Sequence, residues 1–302
     1  MYDVDMVVSP SNPIVAPPLD YVPAPDHFDL PPGANFGGVS GVAINSRGHI
    51  FVFHRGPGPL MQFDEDGRFI QAFGDGLFTR PHGLRIDAED NIWLTDMGAH
   101  FALKLSPKGR VLMVLGSKGA PGEQHPYGHL RLLNEPSEVV TGPDGELYVL
   151  QGHGKAECAI LKFDRDGEFQ TCWGKSGTGP GEFNIPHSLV IDGDGLLHIA
   201  DRSNQRIQVF NSEGRYLRET IYPGTPCGLC PAEDGGMWLA HGHEGRIFKL
   251  ARDGAVTGMM GGQGKAAGHF GEAHYIAVSR RGEVFVADPL NWRVQKFVPK
   301  GS

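Results

Sequence analysis

Hydrophobic and polar residues alternate along most of the chain in short runs, and turns containing glycine separate the runs. The segment "HSLVIDGDGLLHIADRSNQRIQVFNSEGRYLRET" shows the unit, in which successive runs of this kind follow one another with turns such as "DGDG" and "SEG" between them. An alternation of period two is typical of strands that bury one face. No window places apolar residues at i, i+3, i+4 and i+7, so the pattern predicts strands and few long helices.

This four-strand unit occurs six times, and successive copies begin 40 to 55 residues apart. Repeats of this length, each with four short strands, are typical of the blades of a β-propeller. The sequence therefore predicts an all-β fold, a six-bladed β-propeller that occupies residues 38–302 as a single domain. Residues 1–37 precede the first copy and form an N-terminal lead.

The last copy ends after its third strand, in "VQKFVPKGS". An unpaired edge strand exposes a row of backbone hydrogen-bonding groups and is a liability that proteins avoid. We therefore expect a segment within residues 3–24, with Val4–Val8 as the first candidate, to supply the outer strand of the sixth blade and close the ring.

The composition and net charge of the chain exclude some classes of binding partner. The 302 residues include 44 Gly and 23 Pro, and the net charge of -8 argues against nucleic acid, which needs a basic face. The sequence contains no apolar run of membrane-spanning length and no signal peptide, so we expect a cytoplasmic protein that does not bind membranes. Cys227 and Cys230 have CxxC spacing, but the second CxxC of a zinc ribbon is missing. We therefore expect these two cysteines to be ordinary buried thiols and not zinc ligands. The oligomeric state is left open.

Two positions of the repeat carry polar residues at a constant spacing. The residue that opens the first strand and the residue that closes the second are fourteen apart in all six copies. The opening residues are Ser40, His82, Ser137, His187, Cys227 and His274, and the closing residues are His54, Asp96, Gln151, Asp201, His241 and Asp288. We expect the three aspartates to cap turns.

Histidine occupies the opening position in the second, fourth and sixth copies, as His82, His187 and His274. In a six-bladed ring these alternate positions form a threefold set that points at the central axis. Any one of these histidines alone is more simply explained by a hydrogen bond to a backbone carbonyl. Three converging imidazoles, however, suit Zn²⁺ or another divalent transition metal and leave a fourth position open.

Arginines follow the closing position in two copies, as Arg55 and Arg202. The first and second strands are antiparallel neighbours, so the residue after the second strand lies at the same face as the opening histidine. Two guanidiniums near a metal would bind and orient a carboxylate or another anionic oxygen, which predicts a small anionic substrate. The alternative is a pair of salt bridges at the rim.

The repeats resemble those of the NHL-repeat six-bladed β-propellers over residues 38–298. Within that group, "HRG", "PHGL", "PHSL" and "ADRSNQRIQVF" resemble the peptidylglycine α-amidating lyase domain, which cleaves α-hydroxyglycine to an amide and glyoxylate. The resemblance implies that the three zinc histidines of the family are His82, His187 and His274. It also implies that the two active-site arginines are Arg55 and Arg202.

The chain departs from the family at three positions. The catalytic tyrosine of the family corresponds to His153, and a methionine two residues before the last zinc ligand corresponds to Glu272. An aspartate that helps to hold a structural calcium corresponds to Tyr275, which argues against calcium in this chain. The metal ligands and arginines are kept while the base and the pocket change, so we expect related chemistry on a different substrate.

Three candidates for the general base follow from these departures. An imidazole titrates near neutral pH, so His153 suits the role of base, while Glu272 could be the base, a fourth ligand or a substrate contact. The loop at 116–134 is the third candidate and supplies His125, Tyr127 and His129 as possible lid residues.

Three functions remain open from the sequence. The first is a metal-dependent lyase that acts on a small hydroxylated substrate bearing a carboxylate. The second is a metal-dependent hydrolase that uses the same three histidines to activate water. The third is a non-enzymatic propeller that mediates interactions, in which the three histidines would have no explained function.

Overall fold

The computed structural model describes residues 14–122, 132–154 and 159–301, and these residues are almost entirely β-structure. The only helix among them is a 3-10 turn at Arg202–Asn204. In chain order the strands are β1 (Tyr21–Ala24), β2 (Val39–Ile44), β3 (Ile50–His54), β4 (Leu60–Phe63), β5 (Phe69–Phe73), β6 (Pro81–Ile86), β7 (Ile92–Asp96), β8 (Phe101–Leu105), β9 (Val111–Gly116), β10 (Pro136–Thr141), β11 (Leu147–Gln151), β12 (Ala159–Phe163), β13 (Phe169–Trp173), β14 (Lys175–Ser176), β15 (Glu182–Phe183), β16 (Pro186–Ile191), β17 (Leu197–Asp201), β18 (Arg206–Phe210), β19 (Tyr216–Ile221), β20 (Pro226–Pro231), β21 (Met237–His241), β22 (Arg246–Leu250), β23 (Val256–Gly261), β24 (Tyr275–Val278), β25 (Val284–Asp288) and β26 (Arg293–Pro299).

The described strands form six four-stranded antiparallel sheets, one for each copy of the repeat, and one additional short pair, β14 with β15. Within the first five blades the four strands follow one another in sequence order. The first strands of neighbouring blades contact each other all the way round, and β24 of the sixth blade contacts β2 of the first. This arrangement confirms the predicted six-bladed β-propeller.

The hydrophobic core is divided into six clusters, and each cluster lies between two adjacent blades. Between the sixth and first blades, for example, Val52 and Phe63 of one sheet pack near Phe285 of the other, and none of the three is more than 1% exposed. Full burial of a side chain of this size contributes about 1.5–3 kcal/mol. Each sheet is stabilised by packing against its neighbours, so the stability of the propeller depends on closure of the ring.

The outer strand of the sixth blade is Tyr21–Ala24, which pairs antiparallel with β26. Val4–Val8, the first candidate from the sequence, lies outside the described residues, and the edge that it was expected to cover is occupied by β1. The Tyr21 ring packs edge-on against Trp238 at 5.7 Å, and its hydroxyl donates to the carbonyl of Gly282, so this segment has an aromatic anchor. Just before β1, Pro18 bridges to Met259 of the fifth blade.

No helix among the described residues is long and apolar enough to cross a bilayer.

Candidate metal centre

The opening residue of the repeat is a β-bulge in each of the first five blades. Pro186 pairs with Asp201, whereas the regular register resumes only at Ser188, so His187 lies between the two. The same shift surrounds His82 in the second blade. A bulge turns the side chain of the extra residue away from the regular pleat, which directs these imidazoles toward the axis. In the sixth blade His274 directly precedes β24.

The closing aspartates hold the loops that lead into the histidine positions. Asp96 accepts hydrogen bonds from the backbone N–H groups of Arg80, Gly98 and Ala99. Asp201 accepts one from the N–H of Asn184, at 2.8 Å. Asp288 accepts corresponding bonds from the loop before His274. The three aspartates therefore have the turn-capping role expected from the sequence.

The rings of His82, His187 and His274 lie close together at the axis. Their ring centroids lie 4.7 Å (82–187), 4.5 Å (187–274) and 5.1 Å (82–274) apart, and all three residues are buried. Each Nδ1 faces a backbone carbonyl of the next blade around the ring, and the distances to these carbonyls are 2.8 Å, 3.2 Å and 2.8 Å respectively. A carbonyl can only accept, so each Nδ1 carries the proton and each Nε2 keeps its lone pair.

The Nε2 atoms of His82 and His187 lie 3.3 Å apart. Two imidazole lone pairs at this separation repel each other unless they share a cation or a proton. Tetrahedral Zn²⁺ with Zn–N bonds of about 2.0–2.1 Å separates its nitrogen ligands by about 3.3–3.4 Å. Burial also lowers the pKa of all three histidines well below 6.5, which keeps them in the neutral form that binds metals. The donor set thus fits Zn²⁺ or a similar ion.

His153 lies beside these three histidines. Its ring centroid is 4.3 Å from that of His82 and 5.0 Å from that of His187, and one ring nitrogen from each of His82, His153 and His187 lies within 4.8 Å of the others. The Nε2 atom of His153 is buried without a hydrogen-bond partner among the described residues. Burial holds the pKa of this imidazole well below 6.5. Its position suits either a base beside the metal or an additional ligand.

Arg202 begins the 3-10 turn after β17, at the same face as the histidines. Its Nη2 donates to Glu272 Oε1 at 3.1 Å and to His243 Nε2 at 3.0 Å. The carboxylate of Glu272 is therefore an ion-pair partner of the arginine, and Glu272 is only 8% exposed. Arg55 of the first blade donates from Nε to the carbonyl of Pro81 at 3.3 Å. After burial, the charges of Arg55 and Arg202 are the next largest causes that lower the pKa of His274.

His243 is a site residue that the sequence reasoning missed. It lies two residues after the closing residue of the fifth copy, and His153 lies two residues after the closing residue of the third. The signal in the sequence is this shared position, two residues after the closing residue of the repeat. All three proposed lid residues lie outside the described residues, namely His125, Tyr127 and His129.

Comparisons with known proteins agree with this architecture. The sequence profile of a family described as "6-bladed beta-propeller" matches residues 132–244. Human NHL repeat-containing protein 3 is 30% identical over 289 residues, and the alignment covers 86% of this chain and 79% of that protein. Among solved structures, one described as "Streptogramin B lyase structure" superposes with a TM-score of 0.64 at 17% identity, over 92% of this chain and 97% of the other, which supports the fold alone.

A second relative carries an enzyme name. A probable peptidyl-alpha-hydroxyglycine alpha-amidating lyase of Caenorhabditis elegans is 32% identical over 222 residues, which cover 65% of this chain and 61% of that protein. The chain therefore spans less than two thirds of this relative.

Proposed function

This chain belongs to the NHL-repeat family of six-bladed β-propellers, and on that premise we propose that it is a metal-dependent lyase that cleaves a small hydroxylated substrate bearing a carboxylate. The observation that carries the proposal is the pair of facing Nε2 atoms of His82 and His187, 3.3 Å apart, with the ring of His274 4.5 Å from that of His187. Together with Arg55 and Arg202, these histidines occur in an arrangement that resembles the α-amidating lyase domain. Zn²⁺ is the ion that this donor set fits best.

His82, His187 and His274 would hold the ion through Nε2. When bound, the ion supplies a Lewis acid that polarises an oxygen of the substrate and lowers the pKa of its hydroxyl.

The substrate carboxylate would bind between the guanidiniums of Arg55 and Arg202. A planar guanidinium can donate two parallel hydrogen bonds to a carboxylate and so orients the anion as well as attracting it. The charge of Arg202 is partly compensated by Glu272, with which it forms an ion pair at 3.1 Å.

His153 would accept the proton of the substrate hydroxyl at its unpartnered Nε2. The oxygen then forms a carbonyl, and the C–N bond breaks with both electrons leaving on nitrogen. That nitrogen takes up a proton, which His153 can return, so an N-acyl-α-hydroxyglycine yields an amide and glyoxylate. The low pKa of His153 leaves it unprotonated before the reaction, as a base requires. Glu272 is less suited to be the base because its carboxylate is engaged in an ion pair with Arg202.

Glyoxylate release from N-benzoyl-α-hydroxyglycine tests the proposal, with the chain first stripped of metal and then reloaded with Zn²⁺. We expect turnover by the zinc-loaded chain and little by the stripped chain. His269→Ala, which removes a histidine at an exposed position, serves as the matched control.

Failure to release glyoxylate from any small α-hydroxy acid derivative, with zinc bound, would reject the lyase. Hydrolysis of lactones or esters by the same zinc-loaded chain would then identify the metal-dependent hydrolase, and inertness toward both classes would favour an interaction propeller.

A further inference from the structure

A second polar cluster crosses the axis next to the histidines. Arg85 lies three residues after His82 on β6, and Glu138, Ser188 and Tyr275 each directly follow an opening residue of the repeat. The ring of Tyr275 lies 6.2 Å from that of His82 and 5.7 Å from that of His274. We call Arg85, Glu138, Ser188 and Tyr275 the arginine layer.

The guanidinium of Arg85 is surrounded by oxygen acceptors from other blades. Its Nη2 lies 2.8 Å from Glu138 Oε2, 3.0 Å from Ser188 Oγ and 3.1 Å from the Leu229 carbonyl. Its Cζ lies 5.2 Å from the centroid of the Tyr275 ring, a cation–π geometry. One positive group thus links the second blade to the third, fourth, fifth and sixth blades.

Glu138 is the negative counterpart in this layer. Its side chain is 1% exposed, and Oε2 also accepts hydrogen bonds from the hydroxyls of Ser188 and Tyr275. Burial raises the pKa of Glu138, and the Arg85 guanidinium opposes that rise. The Tyr275 hydroxyl is the donor in its hydrogen bond to this carboxylate, so it carries a proton. The other carboxylate oxygen, Oε1, has no partner among the described residues.

A carboxylate, a hydroxyl and a backbone carbonyl are oxygen ligands of the kind that calcium prefers. The family resemblance implies a structural calcium held in part by an aspartate that corresponds to Tyr275. A neutral phenol cannot replace that carboxylate, and its hydroxyl is already engaged with Glu138. The residues of this chain therefore do not fit the calcium that the resemblance implies.

We propose that the guanidinium of Arg85 is the structural cation of this propeller and takes the place of the calcium ion. The positive charge that links the blades at the axis then belongs to a side chain of the polypeptide. Stability should consequently not depend on calcium, whatever metal the histidines bind. This inference does not rest on the proposed lyase activity.

Thermal unfolding with and without millimolar calcium tests the proposal. Both samples are freed of adventitious metal and supplied with equal zinc, so that the histidine site does not differ between them. We expect the same Tm for the wild-type chain in both. Arg85→Met leaves Glu138 buried without its counter-charge, which should lower Tm by roughly 5–15 °C. Arg68→Met, at an exposed surface arginine, is the control and should leave Tm unchanged.

Three further variants keep the test decisive. Arg85→Met combined with Glu138→Leu removes both charges and should recover most of the lost Tm. Arg85→Ala leaves room beside Glu138 Oε2, which Arg85 contacts in the wild-type chain, so calcium should raise the Tm of that variant. If Arg85→Met does not fold, Arg85→Lys, which keeps the charge but replaces the planar guanidinium, should show an intermediate loss.

A wild-type Tm that rises with calcium would overturn the proposal. So would an Arg85→Met chain as stable as the wild type, a double variant no better than the single one, or an Arg85→Ala chain that calcium does not stabilise.

Discussion

Two neighbouring layers on the propeller axis each bring acceptor atoms close together, and they differ in which cation balances those acceptors. In the histidine layer, the rings of His82, His187 and His274 lie together at the axis, and the Nε2 atoms of the first two lie only 3.3 Å apart. In the arginine layer, oxygen acceptors converge instead, and Arg85 already lies among them. Converging acceptors require a cation. The chain supplies that cation itself in one layer, and in the other it presents ligands that suit an external ion.

This difference separates function from stability. An ion that can be exchanged suits chemistry, because it can leave a coordination position for the substrate. A guanidinium cannot be removed by a chelator and suits a permanent link between blades. We therefore expect substitutions in the histidine layer to change metal content and turnover, and substitutions in the arginine layer to change mainly the free energy of unfolding.

The largest effect on turnover is expected from His187→Ala. Removal of one of three ligands should abolish stable zinc binding and reduce glyoxylate release by at least about a thousandfold, since Lewis-acid assistance is worth several kcal/mol. The Tm without added metal should change far less than in Arg85→Met. A variant with full zinc content would show that His187 is not a ligand.

His153→Ala should lower kcat by at least about a hundredfold, the usual range for loss of a general base. Zinc content should stay at the wild-type level, because a base is not a ligand. Zinc content also tests which histidines are ligands, because the ring of His153 lies at least as close to that of His82 as the rings of His187 and His274 do. Loss of zinc from His153→Ala, with zinc retained by His274→Ala, would assign His153 to the metal and His274 to another role.

Arg202→Lys keeps the charge at the rim but loses the planar fork that contacts Glu272 and His243. Turnover should fall roughly tenfold with zinc content unchanged, because orientation of the substrate carboxylate is lost. Steady-state kinetics with N-benzoyl-α-hydroxyglycine measures this effect. Unchanged kinetics would indicate that the arginine serves only as a surface ion pair.

The smallest effect is expected from His243, which we interpret as a positioning residue for Arg202. His243→Ala removes one hydrogen-bond acceptor from the guanidinium, which should raise KM by about 2- to 10-fold and leave kcat nearly unchanged. His243→Gln supplies another acceptor and should recover part of the loss. A fall in kcat that His243→Gln does not recover would instead suggest a direct catalytic role.

The fold could be predicted from the sequence because a propeller repeats one local pattern. The constant spacing of fourteen residues between opening and closing positions aligned the copies without gaps, and in the structure the residue just before the opening position pairs with the closing residue, as Pro186 does with Asp201. The convergence of His82, His187 and His274 followed from the same symmetry. Val4–Val8 was a poorer guess because several short segments of the lead have strand-like composition, and only packing, as of Tyr21 on Trp238, distinguishes them.

The arginine layer could not be predicted in the same way. Glu138 and Tyr275 share one repeat position, directly after the opening residue, but the residue type at that position differs between copies, and Arg85 lies two positions further along the repeat. Their contacts depend on the lengths of side chains that reach across the axis from separate blades. The pairing of Arg202 with Glu272, seventy residues apart in sequence, depends on the same kind of contact between blades.

Elemental analysis of the purified chain after dialysis against equal zinc and calcium tests the distinction between the two layers most directly. We predict about one zinc and no calcium for each wild-type chain, with zinc lost in His187→Ala and retained in the control His269→Ala. Stoichiometric calcium in the wild-type chain, or a zinc content that His187→Ala leaves unchanged, would contradict the account.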